Sequence, residues 1–152
     1  RDVLGSRGLG DVYKRQFEIW YMSYNGNPKS WYRVDRFLHR VPYEKTPEVY
    51  AACDILLKTS LLESFSYPPL EMMASGGYVV AVPNGGNLEY LKDGENCILY
   101  PQGNLAEAKA AIERILTDAE LRKKLDTGAE ETVKERNWKR IEPQILEQYL
   151  GK

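Results

Sequence analysis

Histidine and cysteine are nearly missing from this sequence: 152 residues hold one His and two Cys. A lone His39 excludes any mechanism that needs a histidine pair or a triad within the segment. Cys53 and Cys97 belong to no Cys-x-x-Cys or Cys/His cluster, which argues against a zinc site or a disulfide framework. Both have apolar neighbours and read as reduced core thiols of a cytoplasmic protein. No apolar run approaches the ~18 residues that a membrane span needs, and no signal peptide is visible. Stripes of basic charge are also absent. The formal net charge is −1, so the eleven tyrosines stand without the cationic patch that nucleic-acid binding requires.

What is present begins with a glycine-rich run, "GSRGLGDVYKRQ", Gly5 to Gln16. A phosphate-cradling loop needs an apolar strand before it and a helix after it, so that backbone N–H groups converge on the anion. Only "RDVL" precedes this run, extended aromatic sequence follows it, and the third glycine of a dinucleotide fingerprint is missing. Ser6 to Gln16 instead resembles a translated transposon-end adapter of sequencing libraries. Residues 1–16 are therefore set aside as a non-native segment. The natural protein is expected to start upstream of Phe17, and residues 17–152 are one domain's worth of chain.

From Phe17 onward, strand and helix signals alternate. Strands are expected at 17–24, 36–41, 54–60, 78–82 and 97–101. The run 54–60 lacks clean alternation, as when both faces of a sheet are covered. Thr46-Pro47-Glu48 starts a helix, with Thr as cap and Pro in the first turn. Further helices are expected at 68–75, stopped by Gly76-Gly77, and at 87–94, ended by Gly94. After Gly103 the chain reads as helical throughout. Asn104 with Glu107 forms a capping box, and Leu105, Ala108, Ile112, Ile115 and Leu116 form an apolar stripe. Gly128 breaks the run, Asn137 caps a last helix, and Pro143 kinks or restarts it. The alternation predicts an α/β fold, a Rossmann-like doubly wound parallel sheet with C-terminal helices.

The stretch that carries chemistry is "LLESFSYPPLEMMASGG". Pro68 and Pro69 fit only the first turn of a helix, so Glu63 lies in the preceding loop and Glu71 just inside the helix. A loop folded back over its helix brings both carboxylates to one mouth. There the helix N-terminus offers amide donors from Ser64 to Tyr67 to an anion. Such a site suits a diphosphate flanked by sugar hydroxyls. A loop with two solvated glutamates fits the spacing as well, and is the commoner case.

This stretch resembles the Glu-x7-Glu motif of the family 4 retaining glycosyltransferases, which have the GT-B fold. "VPYEKTPEVYAACDILLKTS" before it and "GGYVVAVPNGGNLEYLKDGENCILYPQGNLAEA" after it resemble the family over about 37–117. The resemblance implies that residues 17–152 are part of the C-terminal, nucleotide-sugar-binding half of such a fold. Glu71 would bond the ribose hydroxyls, and Glu63 would be the catalytic carboxylate against the donor sugar. Ser64, Phe65, Ser66 and Tyr67 would line the sugar and the diphosphate, and Arg40-Val41 would hold the base through the main chain. It further implies a nucleotide-diphosphate sugar as substrate, no metal and no cofactor, and retention of configuration through same-face attack. The acceptor would be a glycan or lipid-linked molecule held by an N-terminal domain, in bacterial cell-surface polysaccharide synthesis. The reaction would be cytoplasmic, with the parent peripheral to the inner face of the membrane.

Several positions depart from the family pattern or support it weakly. Ser64-Phe65-Ser66 replaces Gly-Phe-Gly, and serine lacks the φ freedom of glycine. Lys58 ends an otherwise apolar strand and reads as snorkelling there rather than contacting phosphate. Gly85-Gly86 reads equally as a donor contact or as a turn feeding the helix at Asn87. His39 reads as a strand-edge residue, and Trp20, Tyr21, Trp31 and Tyr32 as packing. In the doubly wound order 3-2-1-4-5-6 the five strands correspond to 2, 3, 4, 5 and 6. Strand 1, the cationic pair that the family sets against the diphosphate, and the acceptor domain are expected upstream, and the fragment alone is expected to be inactive. A non-catalytic nucleotide-sugar-binding or scaffolding relative is the alternative, and a sugar-nucleotide epimerase a third reading.

Overall fold

The computed structural model describes residues 17–151. The adapter resemblance of residues 6–16 lies outside them. The elements run β1 (Trp20–Ser23), β2 (Arg36–His39), a 3-10 turn (Tyr43–Lys45), α1 (Thr46–Ala52), β3 (Ile55–Lys58), α2 (Tyr67–Ala74), β4 (Tyr78–Ala81), β5 (Ile98–Leu99), α3 (Leu105–Thr117), α4 (Ala119–Glu135) and α5 (Trp138–Leu150). Two compact units divide the chain, one ending at Val49 and one from Tyr50. None of the described helices is long and apolar enough to cross a membrane.

Every ladder is parallel. In the first unit β1 pairs with β2, Trp20 opposite Arg36 and Ser23 opposite His39. In the second, β4 stands between β3 and β5. These are the pairings that a doubly wound order assigns to strands 2 and 3, and to strands 4, 5 and 6. Among the described residues β1 and β3 each have a ladder partner on one side only.

The core of the second unit forms on β4, where Val79, Val80 and Ala81 are fully buried. Val80 and Val82 join Ile98, Tyr100, Ala108, Ala111, Ile115, Leu121 and Leu125 in one cluster. Burying a side chain of the Val/Leu/Ile class stabilises by about 1.5–3 kcal/mol, so this cluster is what holds α3 and α4 to the strand. Asn104 caps α3 by accepting from the Glu107 amide at 3.1 Å, and its own amide donates to the Glu107 carboxylate at 2.6 Å. Asp118 and Asn137 cap α4 and α5 in the same way.

Local signals were overridden at several points. Thr46 is not a cap: its hydroxyl donates to the Tyr43 carbonyl at 2.7 Å, because the 3-10 turn runs straight into α1. Leu105 is 81% exposed, since the first helical position projects past the core, and Ala111 takes its place on the buried face. Gly128 lies inside α4 instead of breaking it. Its bare Cα lets the helix lie against Glu95, whose carbonyl carbon would stand 2.8 Å from an added Cβ. Residues 87–94 form turns rather than a helix, because the Asn84, Asn87 and Asn96 side chains take up main-chain groups there. α5 continues through Pro143 without restarting and buries no residue. Both cysteines are free. Burial pushes the Cys97 thiol up to about 12, whereas Cys53 is only half-buried.

Candidate functional site

The site grows from the C-terminal end of β3. Leu57 and Lys58 are held in the ladder opposite Val80 and Ala81, and the Lys58 carbonyl accepts from the Val82 amide at 3.0 Å. The chain then leaves the sheet through 59–66 and enters α2 at Tyr67. Pro68 and Pro69 occupy the first turn, as the sequence predicts. Ser66 holds the N-cap position in extended conformation, but its hydroxyl caps nothing and has no partner among the described residues.

Glu63 lies in this loop, partly exposed. Its carboxylate pairs with the Lys58 ammonium, which also donates to the Ser60 hydroxyl at 2.6 Å. Side-chain exposures of 16% for Lys58 and 24% for Glu63 leave the pair mostly shielded from water. Lys58 therefore does not snorkel into solvent; a carboxylate on the next loop captures it. The Lys58 hydrogen bond holds the Glu63 carboxyl below its ordinary range, against the effect of partial burial, and the Ser60 hydroxyl and the Lys58 charge add to that lowering.

The turn after β4 supports the loop from behind. Asn84 and Asn87 bond reciprocally: the Asn84 amide donates to the Asn87 side chain at 2.9 Å, and the Asn87 amide to the Asn84 side chain at 3.1 Å. The Asn84 side chain also donates to the Ser60 carbonyl at 2.9 Å. This clamp lays Gly86 on the Glu63–Ser64 peptide, where an added Cβ would stand 2.8 Å from the Glu63 carbonyl carbon. Gly85 is exposed, with nothing close to it.

Ser64 and Tyr67 are exposed, Phe65 is half-buried and Ser66 is wholly buried. Phe65 packs edge-on to Tyr67 with ring centroids 4.9 Å apart, and lies 5.5 Å from the Tyr90 ring. The Tyr90 phenol donates to the Ser66 carbonyl, and burial raises its pKa, so it stays a neutral donor. Neither serine needs the left-handed region: among the described residues Arg40 alone of the non-glycines has positive φ. Replacing Gly-Phe-Gly by Ser-Phe-Ser therefore costs this loop path no backbone strain. Glu71 lies on α2, half-exposed, and its carboxylate has no hydrogen bond or ion pair among the described residues.

Arg40 and Val41 belong to the first unit. Arg40 turns the chain at φ 52° just past β2. Its amide donates to the Ser23 carbonyl at 3.0 Å, and the Val41 carbonyl accepts from the Tyr24 phenol. His39 stacks on Phe37 in the open, as a strand-edge residue. Trp31 is 76% exposed, so it does not pack in a core; Arg36 covers the Trp20 ring at 4.5 Å. No group of three or more His, Cys, Asp or Glu is placed to hold a metal among the described residues.

Sequence reasoning placed Glu63 in the loop, Glu71 on the following helix and the helix start at the prolines, where the structure has them. It missed Lys58 as the partner of Glu63, and Asn84 and Gly86 as its supports. The signal for the first was a lysine ending an apolar strand five residues before a glutamate.

Parallel ladders joined through helices, with a carboxylate-bearing loop leaving a strand's C-terminal end, are those of the doubly wound α/β class. The family model of glycosyl transferases group 1 matches residues 35–132, and the chain belongs to that family. Similar curated proteins include the O-antigen biosynthesis protein RfbC of Myxococcus xanthus, 35% identical over 75% of this chain and 9% of its own length. Another is the D-inositol 3-phosphate glycosyltransferase of Thermomonospora curvata, 30% identical over 76% of this chain and 27% of its own length. Among solved structures, HepE of Anabaena in complex with UDP-glucose superposes with a TM-score of 0.69 at 28% identity, over 77% of this chain and 32% of that one. Sucrose-phosphate synthase of Thermosynechococcus elongatus gives 0.68 at 28% identity, over 76% and 29%. The chain thus spans about a third or less of each of these proteins.

Proposed function

We propose that this chain supplies the donor side of a retaining glycosyltransferase. The donor is a nucleotide-diphosphate sugar, and a hexosyl or deoxyhexosyl unit passes to a glycan or lipid-linked acceptor in cell-surface polysaccharide synthesis. The observation that carries this reading is the oriented Glu63 carboxylate at the end of β3, ahead of α2 with its uncommitted Glu71. The UDP-glucose complex of HepE and the biosynthetic name of RfbC support the donor class and the pathway class.

In this reading Glu71 accepts from ribose hydroxyls and Glu63 from hydroxyls of the sugar. Ser64, Phe65, Ser66 and Tyr67 line the sugar and the diphosphate. The bond from the anomeric carbon to the diphosphate oxygen breaks while the acceptor oxygen bonds on the same face, and the acceptor proton passes to the leaving phosphate. Cationic side chains and amides, not a metal, stabilise that phosphate, so chelation with EDTA leaves turnover unchanged. The reaction is placed in the cytoplasm, with the acceptor at the inner membrane face.

The test is calorimetric titration of UDP, other nucleoside diphosphates and their sugars into the intact protein, with transfer assayed in parallel. Glu71→Ala is expected to weaken nucleotide binding by about 1.5–3 kcal/mol, the worth of a charged hydrogen bond. Glu63→Ala should lower turnover more than nucleotide affinity. Equal nucleotide affinity in wild type and Glu71→Ala would overturn the ribose assignment. Binding without transfer would favour the non-catalytic relative.

A further inference from the structure

We propose that Lys58 is the positioning residue of the candidate site, holding the Glu63 carboxylate in one direction and as an anion for the hydroxyls of a donor sugar. The inference rests on the transferase reading above and adds a residue to it.

Three observations carry it. First, the two partners differ in rigidity. Lys58 ends a strand and its carbonyl is bonded into the sheet by the Val82 amide, whereas Glu63 is on a loop. The ammonium is therefore the fixed point and the carboxylate the group being placed. Second, two of the three ammonium hydrogens are committed, to Glu63 and to Ser60. Their charge is neutralised locally, which removes Lys58 as a free cation for phosphate. Third, the main chain of Ser60 and Glu63 is fixed, by Asn84 on the Ser60 carbonyl and by Gly86 on the Glu63–Ser64 peptide, so that only the carboxylate remains to be placed. A surface ion pair needs no such frame. Among the described residues Lys58 from β3 is the charged group that acts on Glu63, and Tyr90 from the turn after β4, which feels the Glu63 charge, is itself uncharged. Lys58 is the only source of positive charge in that set.

The experiment has two arms. In the isotope-labelled chain, the side-chain carboxyl resonance of Glu63 is followed across pH in wild type, Lys58→Met and Lys58→Arg. The midpoint should be low in wild type and Lys58→Arg and raised in Lys58→Met. A Lys58→Met midpoint equal to wild type would overturn the proposal. If Lys58→Met fails to fold, Glu63→Gln reads the pair from the other side: the Lys58 ammonium resonance, slow to exchange in wild type, should become fast, and an unchanged rate counts against the proposal.

In the intact transferase, Lys58→Met should lower kcat about a hundredfold through misplacement, leave the donor KM near wild type, and move the acid limb of the rate profile to higher pH. Lys58→Arg should restore most of the rate. Removing one partner of a shielded pair leaves the other charge uncompensated and lowers stability, so the rates are compared only in variants shown to be folded. A purely structural lysine would therefore leave kcat and the acid limb where they were, and that result overturns the proposal. Absence of transfer in every version, wild type included, overturns the transferase reading instead, and the titration arm then decides the pairing by itself.

Discussion

Gly86 is a glycine for what lies against it, not for its backbone angle. Among the described residues the positive-φ glycines are Gly76, Gly94, Gly103 and Gly151, and Gly86 is not one of them. Any side chain there meets the peptide that carries Glu63. Gly86→Ala is therefore expected to push that peptide away and destabilise the fold by about 1–3 kcal/mol, the usual cost of overpacking. Gly85→Ala, in open space, should be neutral. Urea denaturation of both variants checks the pair, and equal midpoints would refute the close-packing argument. Glu63 adds a pH dependence of known sign. Its folded pKa lies below its unfolded value, so its contribution to stability is present above the unfolded pKa and is lost as pH falls through the folded one. Lys58→Met should flatten that acid-side loss in a pH series of denaturation midpoints. At this scale the two prolines placed Glu63 in the loop and Glu71 inside the helix, while the part assigned to the two carboxylates came from the family resemblance and not from their spacing. The sequence did not disclose Gly86 or Asn84, because their contacts with 60–64 join neighbouring strands across the sheet, and no local pattern records such a pairing.

At the scale of elements, α4 and the turns of 84–96 form one latch. Gly128 lets the helix touch Glu95, the Asn96 side chain donates to the Thr132 hydroxyl at 2.8 Å, and Arg136 pairs with Glu89 and its carbonyl. The same Asn96 side chain also bonds the Tyr90 carbonyl at 2.8 Å and accepts from the Lys92 amide at 2.8 Å. The latch explains why a helix expected at 87–94 gave way to turns. Three asparagine side chains offer the backbone better-placed partners there, and residues that compete for backbone groups favour turns. It also explains why Gly128 misled. A glycine reads as a breaker when only propensity is considered, yet here the helix needs its bare Cα for the crossing. Gly128→Ala is expected to lower stability by about 1–3 kcal/mol, although alanine is the better helix former by about 1 kcal/mol. A thermal or chemical melt in which Gly128→Ala is the more stable protein would show that the close approach to Glu95 costs less than the helix gains.

At the scale of the whole molecule, the two units differ in how much they bury. From Phe17 to Lys45 no residue is buried, and β1 and β2 are four residues each. In the second unit Val79, Val80 and Ala81 are sealed completely, Val80 within the cluster that α3 and α4 complete. The alternation of strands and helices was legible except at 87–94 and at the break between α3 and α4, because the other elements carried their own apolar runs and stop signals. The division of the strands into two ladders followed from the doubly wound order rather than from any local signal. What the division means for stability can be measured on two hydrogen bonds of equal length. The Arg40 amide donates to the Ser23 carbonyl at 3.0 Å at the edge of the β1–β2 ladder, and the Tyr100 amide to the Ala81 carbonyl at 3.0 Å at the end of β5. With the bond geometry matched, a difference in exchange reports the free energy of opening around each. Opening free energies follow the apolar burial around a bond, from near zero at open edges to the global value in the core. Native-state hydrogen exchange should therefore show Arg40 exchanging faster than Tyr100 by at least about two orders of magnitude, with the other β1–β2 amides grouped near Arg40. Added denaturant should speed the Tyr100 amide steeply, because its release exposes the β4 core, and leave Arg40 nearly unaffected. Equal protection of the two amides, with equal denaturant slopes, would mean that both units open in one cooperative step, and the division at Val49 would then have no energetic meaning.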